Sequence, residues 1–559
     1  MGLDEDAGDD DTVHLLSQFH KKKKLQWAPT CWYIDFLPFV KARYVLVFML
    51  FLGLCNVYAL RVNLSVAIVQ MTAKHPQHGQ RSFDWSNTEE ATSKSTLCVP
   101  WRVQRVTVKS GYLDKTCWVL SSFFYGYMVS QLPGGWLATK IGGKYVFGVG
   151  VLVTSLLTLI TPQMAYLNLW ALVSCRVVMG FFEGVTFPAW NAMLGKWAPP
   201  MERSVMATIV MSGLNIGNIV AFPLSGVLCD TMGWPWVFYC FGFAGILWFV
   251  AWLFLAFNTP ASHPRISPQE QHYIESTIEA ELLLNKNTSK DLSTPWKEIF
   301  TSPPFLGIIL AHVSGLWFFY TLLTCLPTFL DQTLCLDIKK NGFYSAIPYV
   351  CIIVVGISWG QVTDLLRQRK LVTTTVIRKI NTVLGGFLSA IFLLLCGYFG
   401  NTTKWAIAFL SLSLGLSGLG TAGAVINNLD IAPKYAGILF GISNTFGTIP
   451  GFVGPQVAKA IAKKPSFETC NDSCEDPTSI DVYRQEWRLV FIIAAQIYVF
   501  GALAYLLLGS GEKQWWADGV AHGDNKKTIQ ISSPSLSSIP KDMSSNDSNK
   551  NTYTNKECN

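Results

Sequence analysis

Apolar runs of about 20 residues, the length needed to cross a hydrocarbon core of ~30 Å, recur along the whole of this chain and restrict it to a bundle of membrane-spanning helices. Twelve can be drawn, at residues 45–71, 117–138, 144–163, 166–192, 204–228, 235–257, 304–330, 342–363, 372–399, 404–427, 436–462 and 486–508. Half of the residues are hydrophobic and 14% are charged, against roughly 25% charged in an ordinary soluble domain. The runs leave no room for an enzyme-sized soluble domain. The longest polar stretch between the second and twelfth runs, 258–303, divides them into six and six, the layout of transporters built from internal repeats. The expected organisation is a cytosolic tail (1–43), a six-helix half (44–257) with a lumenal loop at 72–116, a cytosolic linker (258–303), a second six-helix half (304–509), and a polar cytosolic tail (510–559). The Ser, Asn, Thr and Lys content of that tail predicts disorder.

No apolar run precedes residue 44, so no cleavable signal peptide is expected, and orientation falls to loop charge. Lys21 to Lys24, Lys41 and Arg43 precede the first run; Lys140 and Lys144, Lys196 and Arg203, and Arg367, Arg369, Lys370, Arg378 and Lys379 fall in alternate short loops. The positive-inside rule puts these loops and both termini in the cytosol. It also absorbs the net charge of +7, which otherwise suggests a nucleic-acid surface. The 14 cysteines show no metal-ligand spacing, and most lie in spans, where a thiol behaves as a small apolar group. Cys470 and Cys474, in the last lumenal loop, pair in an oxidising lumen or stay as free thiols. Asn401 and Asn471 stand in sequons on the same side and are the expected glycan acceptors. The sequons at Asn63, inside a span, and at Asn287 and Asn546, on the cytosolic side, are not.

An ionisable side chain inside a span costs a few kcal/mol on insertion scales, so each is a functional-site hypothesis by default. Three stand out: Arg61, Arg176 and Glu183. Arg176 and Glu183 are seven residues apart, two helical turns, so they share a face about 10.5 Å apart along the axis. That is too far for an intrahelical ion pair, and each needs a partner from another span or from a ligand. A guanidinium offers a carboxylate two parallel hydrogen bonds and does not deprotonate. A carboxyl taken out of water favours its protonated form and can load and release a proton. Arg61 and Arg176 are therefore expected to bind an organic anion and Glu183 to carry a proton. The competing reading is a purely structural ion pair, such as Arg61 with Glu183. His312 and Tyr320 are candidates to line the same cavity from the second half, though a histidine in an apolar span is as often simply packed and hydrogen-bonded.

The stretch Gly134-Gly-Trp-Leu-Ala-Thr-Lys-Ile-Gly-Gly-Lys144 joins runs two and three, and Gly360-Gln-Val-Thr-Asp-Leu-Leu-Arg367 joins runs eight and nine. Gly135, Gly143 and Gly360 permit close approach of helix ends, while Lys140, Lys144, Asp364 and Arg367 can bond to neighbouring helix ends. Both loops are expected to latch one state of a rocking cycle. Their simpler reading is tight turns carrying positive-inside charge. No glycine run follows a strand, so nucleotide hydrolysis has no support, and no cofactor motif is present.

These loops, the twelve runs and Arg61-Val-Asn-Leu-Ser-Val-Ala-Ile-Val69 resemble the sialin-like organic-anion branch of the major facilitator superfamily. The likeness extends over roughly residues 44–510, through Ser121-Ser-Phe-Phe-Tyr-Gly-Tyr127, Gln131-Leu-Pro-Gly-Gly135, Glu183-Gly-Val-Thr-Phe-Pro-Ala189, Leu429-Asp-Ile-Ala-Pro433 and Asn444-Thr-Phe-Gly-Thr-Ile-Pro-Gly451. The resemblance implies an all-α membrane protein of the major facilitator fold that exports acidic sugars from lysosomes with a proton, or, in other relatives, loads acidic amino acids into vesicles. It implies that Arg61, Arg176 and Tyr58 face the substrate and that Glu183 couples the proton. The chain departs from the acidic-sugar transporters of the branch at Met179, where they have a second glutamate, and at Asn191 and Asn428, where they have histidines. Residues 92–115 extend the loop before the second run beyond the branch's pattern. Asp11-Thr-Val-His-Leu-Leu16 fits an acidic dileucine signal, with Asp11, Leu15 and Leu16 read by adaptor proteins. Lysosomal or vesicular membrane is the expected location and the plasma membrane the alternative; vesicular glutamate or aspartate uptake and sodium-phosphate cotransport are the alternative activities.

Overall fold

A computed structural model describes residues 41–71, 111–288, 294–462 and 477–518. Twelve long helical segments follow one another: α1 (Ala42–Met71), α2 (Gly111–Ile141), α3 (Gly143–Leu167), α4 (Leu169–Trp197), α5 (Arg203–Thr231), α6 (Trp234–Leu255), α7 (Pro303–Leu334), α8 (Ile338–Gln368), α9 (Thr374–Phe399), α10 (Thr403–Ile431), α11 (Pro433–Ile461) and α12 (Pro477–Leu508). By length and composition, eleven helices among the described residues can cross a membrane. The twelfth, α2, spans 31 residues and lies backbone to backbone on α4. A Cβ added at Gly126 would come within 2.7 Å of Phe181 N, and one at Gly184 within 2.6 Å of Tyr127 O. Small residues thus replace side-chain interdigitation along this seam.

Three of the helices break; in α11 the first long segment ends at Gly447 and the next starts at Ile449. In α4 the first segment ends at Gly184 and the second starts at Thr186; Pro188 lacks the N–H that would bond the Gly184 carbonyl, and Thr186 Oγ1 donates instead to the Glu183 carbonyl at 2.6 Å. In α10 the break falls at 421–425, where Gly423 leaves helical geometry (φ −98, ψ −113). Side chains of α9 take up the freed groups: Arg378 Nη1 donates to Ala422 O at 2.6 Å, and Thr382 Oγ1 accepts from Ala424 N at 3.0 Å. Arg378 also pairs with Asp430 at 2.7 Å. Irregular backbone at membrane depth survives only with such internal partners.

The halves meet over the part of the bundle away from the termini. There α2 bonds to α11 through Ser121 Oγ to Phe452 O (3.0 Å), Gln456 Nε2 to Tyr125 OH (2.8 Å) and Asn444 Nδ2 to Gln131 Oε1 (2.8 Å). On the other flank Phe222 of α5 stacks on Tyr349 of α8 at 5.4 Å. These contacts between the halves close the bundle on the face away from the described chain ends. Elsewhere, an added Cβ at Gly360, Gly437 or Gly441 would meet nothing within 4 Å.

Two expectations change. Residues 510–518 do not belong to a disordered tail: Trp516 is 1% exposed, Gln514 N donates to Ile431 O at 2.8 Å, and Asn427 Nδ2 donates to Ser510 O at 2.8 Å. Gly511 N donates to Thr375 Oγ1 of α9 and Trp516 packs on Tyr435 of α11, contacts no periodicity announces. Arg43 is more than a topological charge. It is buried against Glu202 (3.0 Å) and Glu270 (3.3 Å), and so joins the start of α1 to the α4–α5 turn and to the linker helix Pro268–Thr288.

Candidate functional site

The charged cluster forms where α1 crosses α4. Arg61 of α1 is 5% exposed and Glu183 of α4 is wholly buried. Arg61 Nε and Nη2 both donate to Glu183 Oε1, at 2.8 and 2.5 Å. The partner that Glu183 required from another span is Arg61, so the ion pair set against the transport reading does form. Around it stands an aromatic box: the guanidinium lies 4.6 Å from the ring of Tyr58, 4.7 Å from Tyr127, 4.8 Å from Phe123 and 5.9 Å from Phe124. Ring faces attract a desolvated cation and hold the head in place without neutralising it.

Arg176 is in a different situation. It is 2% exposed, yet among the described residues no carboxylate pairs with it. Its contacts are the Arg61 carbonyl at 3.5 Å, the Met179 sulfur at 4.0 Å and the Phe123 ring at 5.2 Å. Arg176 Nε, Arg61 Nη1 and Glu183 Oε2 are buried without a hydrogen-bond partner. Both arginines, with Val62, Ser65, Leu120, Phe123, Phe124, Leu323 and Thr324, line one small cavity between the halves. A buried cation without a counter-charge is costly, and an anion in this cavity would meet two guanidinium forks.

The remaining expected residues fall into two groups. Tyr58 and Tyr320 belong to the cluster: Tyr320 is 4% exposed and packs edge-on against Phe124 at 4.9 Å. His312 does not; its Nδ1 lies 3.2 Å from Ser443 Oγ and its ring leans on Phe440, so it joins α7 to α11. Asn191 and Asn428 are turned to their own helices, donating to Phe187 O and Val425 O. In the first loop Gly135 nears Pro188 at 3.6 Å and Gly143 lies 2.6 Å from Ala189 O, measured from an added Cβ. Lys144 Nζ donates to Leu253 O at 3.0 Å, while Lys140 is exposed over the ring of Trp136. In the second loop the expected close approach at Gly360 is not made. Asp364 is exposed and Arg367 half-buried. Asn401 is exposed at the α9–α10 turn, on the closed face. Asp11, Leu15, Leu16, Asn471, Cys470 and Cys474 lie outside the described residues. Sequence reasoning missed Phe123, Phe124 and Tyr127 as site residues; their signal was the run of aromatic residues in Ser121–Tyr127, noted only as part of a resemblance.

Residues 50–455 match the Major Facilitator Superfamily. Human sialin (Homo sapiens) is 42% identical over 503 residues, covering 89% of this chain and 93% of its own. Zebrafish (Danio rerio) vesicular glutamate transporter 3 is 37% identical over 488 residues, covering 87% and 76%. The chain belongs to the organic-anion branch of the Major Facilitator Superfamily. It is a multi-pass membrane transporter of small organic anions, not an enzyme. The fold agrees with solved structures at low identity. A bacterial homolog of the human lysosomal transporter Spinster, in an inward-facing and occupied conformation, superposes with a TM-score of 0.60 at 13% identity, over 86% of this chain and 99% of that one. A D-xylose-proton symporter gives 0.58 at 11% identity, over 84% and 99%.

Proposed function

We propose that this protein is a proton-coupled symporter that exports acidic sugars, such as sialic and glucuronic acid, or related organic anions from the lysosome to the cytosol by alternating access. The observation that carries the reading is the unpaired Arg176 beside the Arg61–Glu183 pair on one cavity. Arg176 attracts the anion's carboxylate. A proton on Glu183 cancels the charge that holds Arg61 and frees its fork for the same carboxylate, so anion and proton favour each other's binding. The site opens to the cytosol on the face that carries the described chain ends, and the two glycine loops latch the opposite state, in which that face closes. The dileucine signal at Asp11, Leu15 and Leu16 directs the protein to lysosomal or vesicular membranes through adaptor proteins, and Asn401 and Asn471 carry glycans.

A second reading, carriage of acidic amino acids such as glutamate or aspartate, is favoured by one observation: Met179, not an acid, stands beside Arg176. Replacing Leu15 and Leu16 with alanine should bring the protein to the cell surface, where uptake of labelled sialic acid from medium is measured at acidic and neutral pH. The expected result is uptake that rises with acidity and disappears in Glu183→Gln. No sialic acid uptake at either pH, in protein present at the surface, would move the substrate to acidic amino acids or phosphate.

A further inference from the structure

We infer that Phe124, seated on Gly451, is the gate residue that closes the anion cavity along the α2–α11 seam; the inference rests on reading the Arg61 and Arg176 cluster as the transport site. Phe124 lines that cavity and is 1% exposed. Its ring meets Phe123 edge-on at 5.4 Å, Tyr320 of α7 at 4.9 Å and the Arg61 guanidinium at 5.9 Å. Its other side lies on α11, where a Cβ added at Gly451 would fall 2.7 Å from Cγ of the ring and nearer still to Cδ1 and Cε1. One ring therefore touches the arginine site, the second half and a glycine backbone together.

This contact is hard to relax. A ring held between Phe123, Tyr320 and Gly451 can yield only toward the small cavity it lines, and close-packed interiors pass most of such a displacement to the backbone. The rest of the seam is neutral: Ser121, Tyr125 and Gln131 bond to α11 through hydroxyl, amide and carbonyl groups. Neutral hydrogen bonds contribute only about 0.5–1.5 kcal/mol each, so the seam can part and reform, and the fit of ring to glycine decides how tightly it closes. Opening the cavity toward the closed face requires α2 and α11 to separate, which lifts Phe124 off Gly451.

The test uses the full-length chain in sealed membrane vesicles, with Ser65→Cys in the cavity wall as reporter and a membrane-impermeant thiol reagent applied from either face. Labelling is taken as the increment over protein with its native cysteines. With Phe124 present, Gly451→Ala should wedge the seam and raise labelling from the closed face about tenfold; in a Phe124→Ala background the same change should alter it by less than about twofold, a coupling of the size contacting residues show. Unchanged labelling, or an equal rise in both backgrounds, would overturn the assignment. Should Gly451→Ala not reach the membrane, Phe124→Leu decides: a severalfold rise from the closed face supports the gate, and no rise defeats it. No anion enters this measurement, so an error in the transport-site reading, which shows as uptake insensitive to Arg61 and Arg176, is seen separately.

Discussion

The two halves repeat a fold but not a chemistry. Each contains a broken helix with a buried arginine nearby, α4 in the first and α10 in the second. In the first half Arg61 and Arg176 line a cavity, and they and the buried Glu183 leave polar atoms unmatched. In the second, Arg378 is fully occupied by Asp430 and by the carbonyl that the α10 break exposes. A satisfied arginine braces a helix; an unsatisfied one awaits a ligand. The second half contributes neutral groups to the site, Tyr320, Leu323 and Thr324.

The sharpest way to break this contrast is Arg61→Ala. A carboxyl stranded in the protein interior takes a proton rather than remain charged, so the protein should still reach the membrane, while uptake falls by about two orders of magnitude as the anion loses a guanidinium partner, a charged hydrogen bond contributing about 1.5–3 kcal/mol. Loss of the folded protein instead would make the pair structural, like that of Arg378. Met179→Glu should have a smaller effect. It places a carboxylate three residues from Arg176, within ion-pair reach, and converts the unsatisfied arginine into a satisfied one. Anion uptake at neutral pH should drop about tenfold and recover partly on acidification, which protonates the new acid. Unaltered uptake would mean that Arg176 does not hold the substrate. Arg378→Met should change uptake per folded molecule least, by less than about twofold. It should instead lower thermal stability, through a stranded Asp430 and a carbonyl short of a donor, by about 3–5 kcal/mol. A thermal melt in detergent beside a flux assay separates the two.

The spans could be read directly because lipid demands about 20 apolar residues of each, and Arg61, Arg176 and Glu183 stood out because charge there is expensive. What could not be read was their pairing. Arg61 and Glu183 lie 122 residues apart in the chain, and only the crossing of α1 and α4 brings them together. Arg43 satisfied a counting rule for loop charge, so its burial left no trace in sequence. The break in α10 has no proline, and its glycines read equally well as close packing. Trp516 stands beyond the last apolar run, where a single residue makes no pattern.

The aromatic box around Arg61 has a consequence for voltage. Rings hold the guanidinium without discharging it, so the three buried charges amount to one positive charge while Glu183 is ionised. In the proposed cycle the proton adds one positive charge and a monoanion removes one, leaving the loaded cluster with the same total as the empty one. Both journeys across the bilayer then carry equal charge. In that cycle a membrane potential adds no net driving force, and the traffic of a monoanion with its proton follows the gradients of the anion and of acidity.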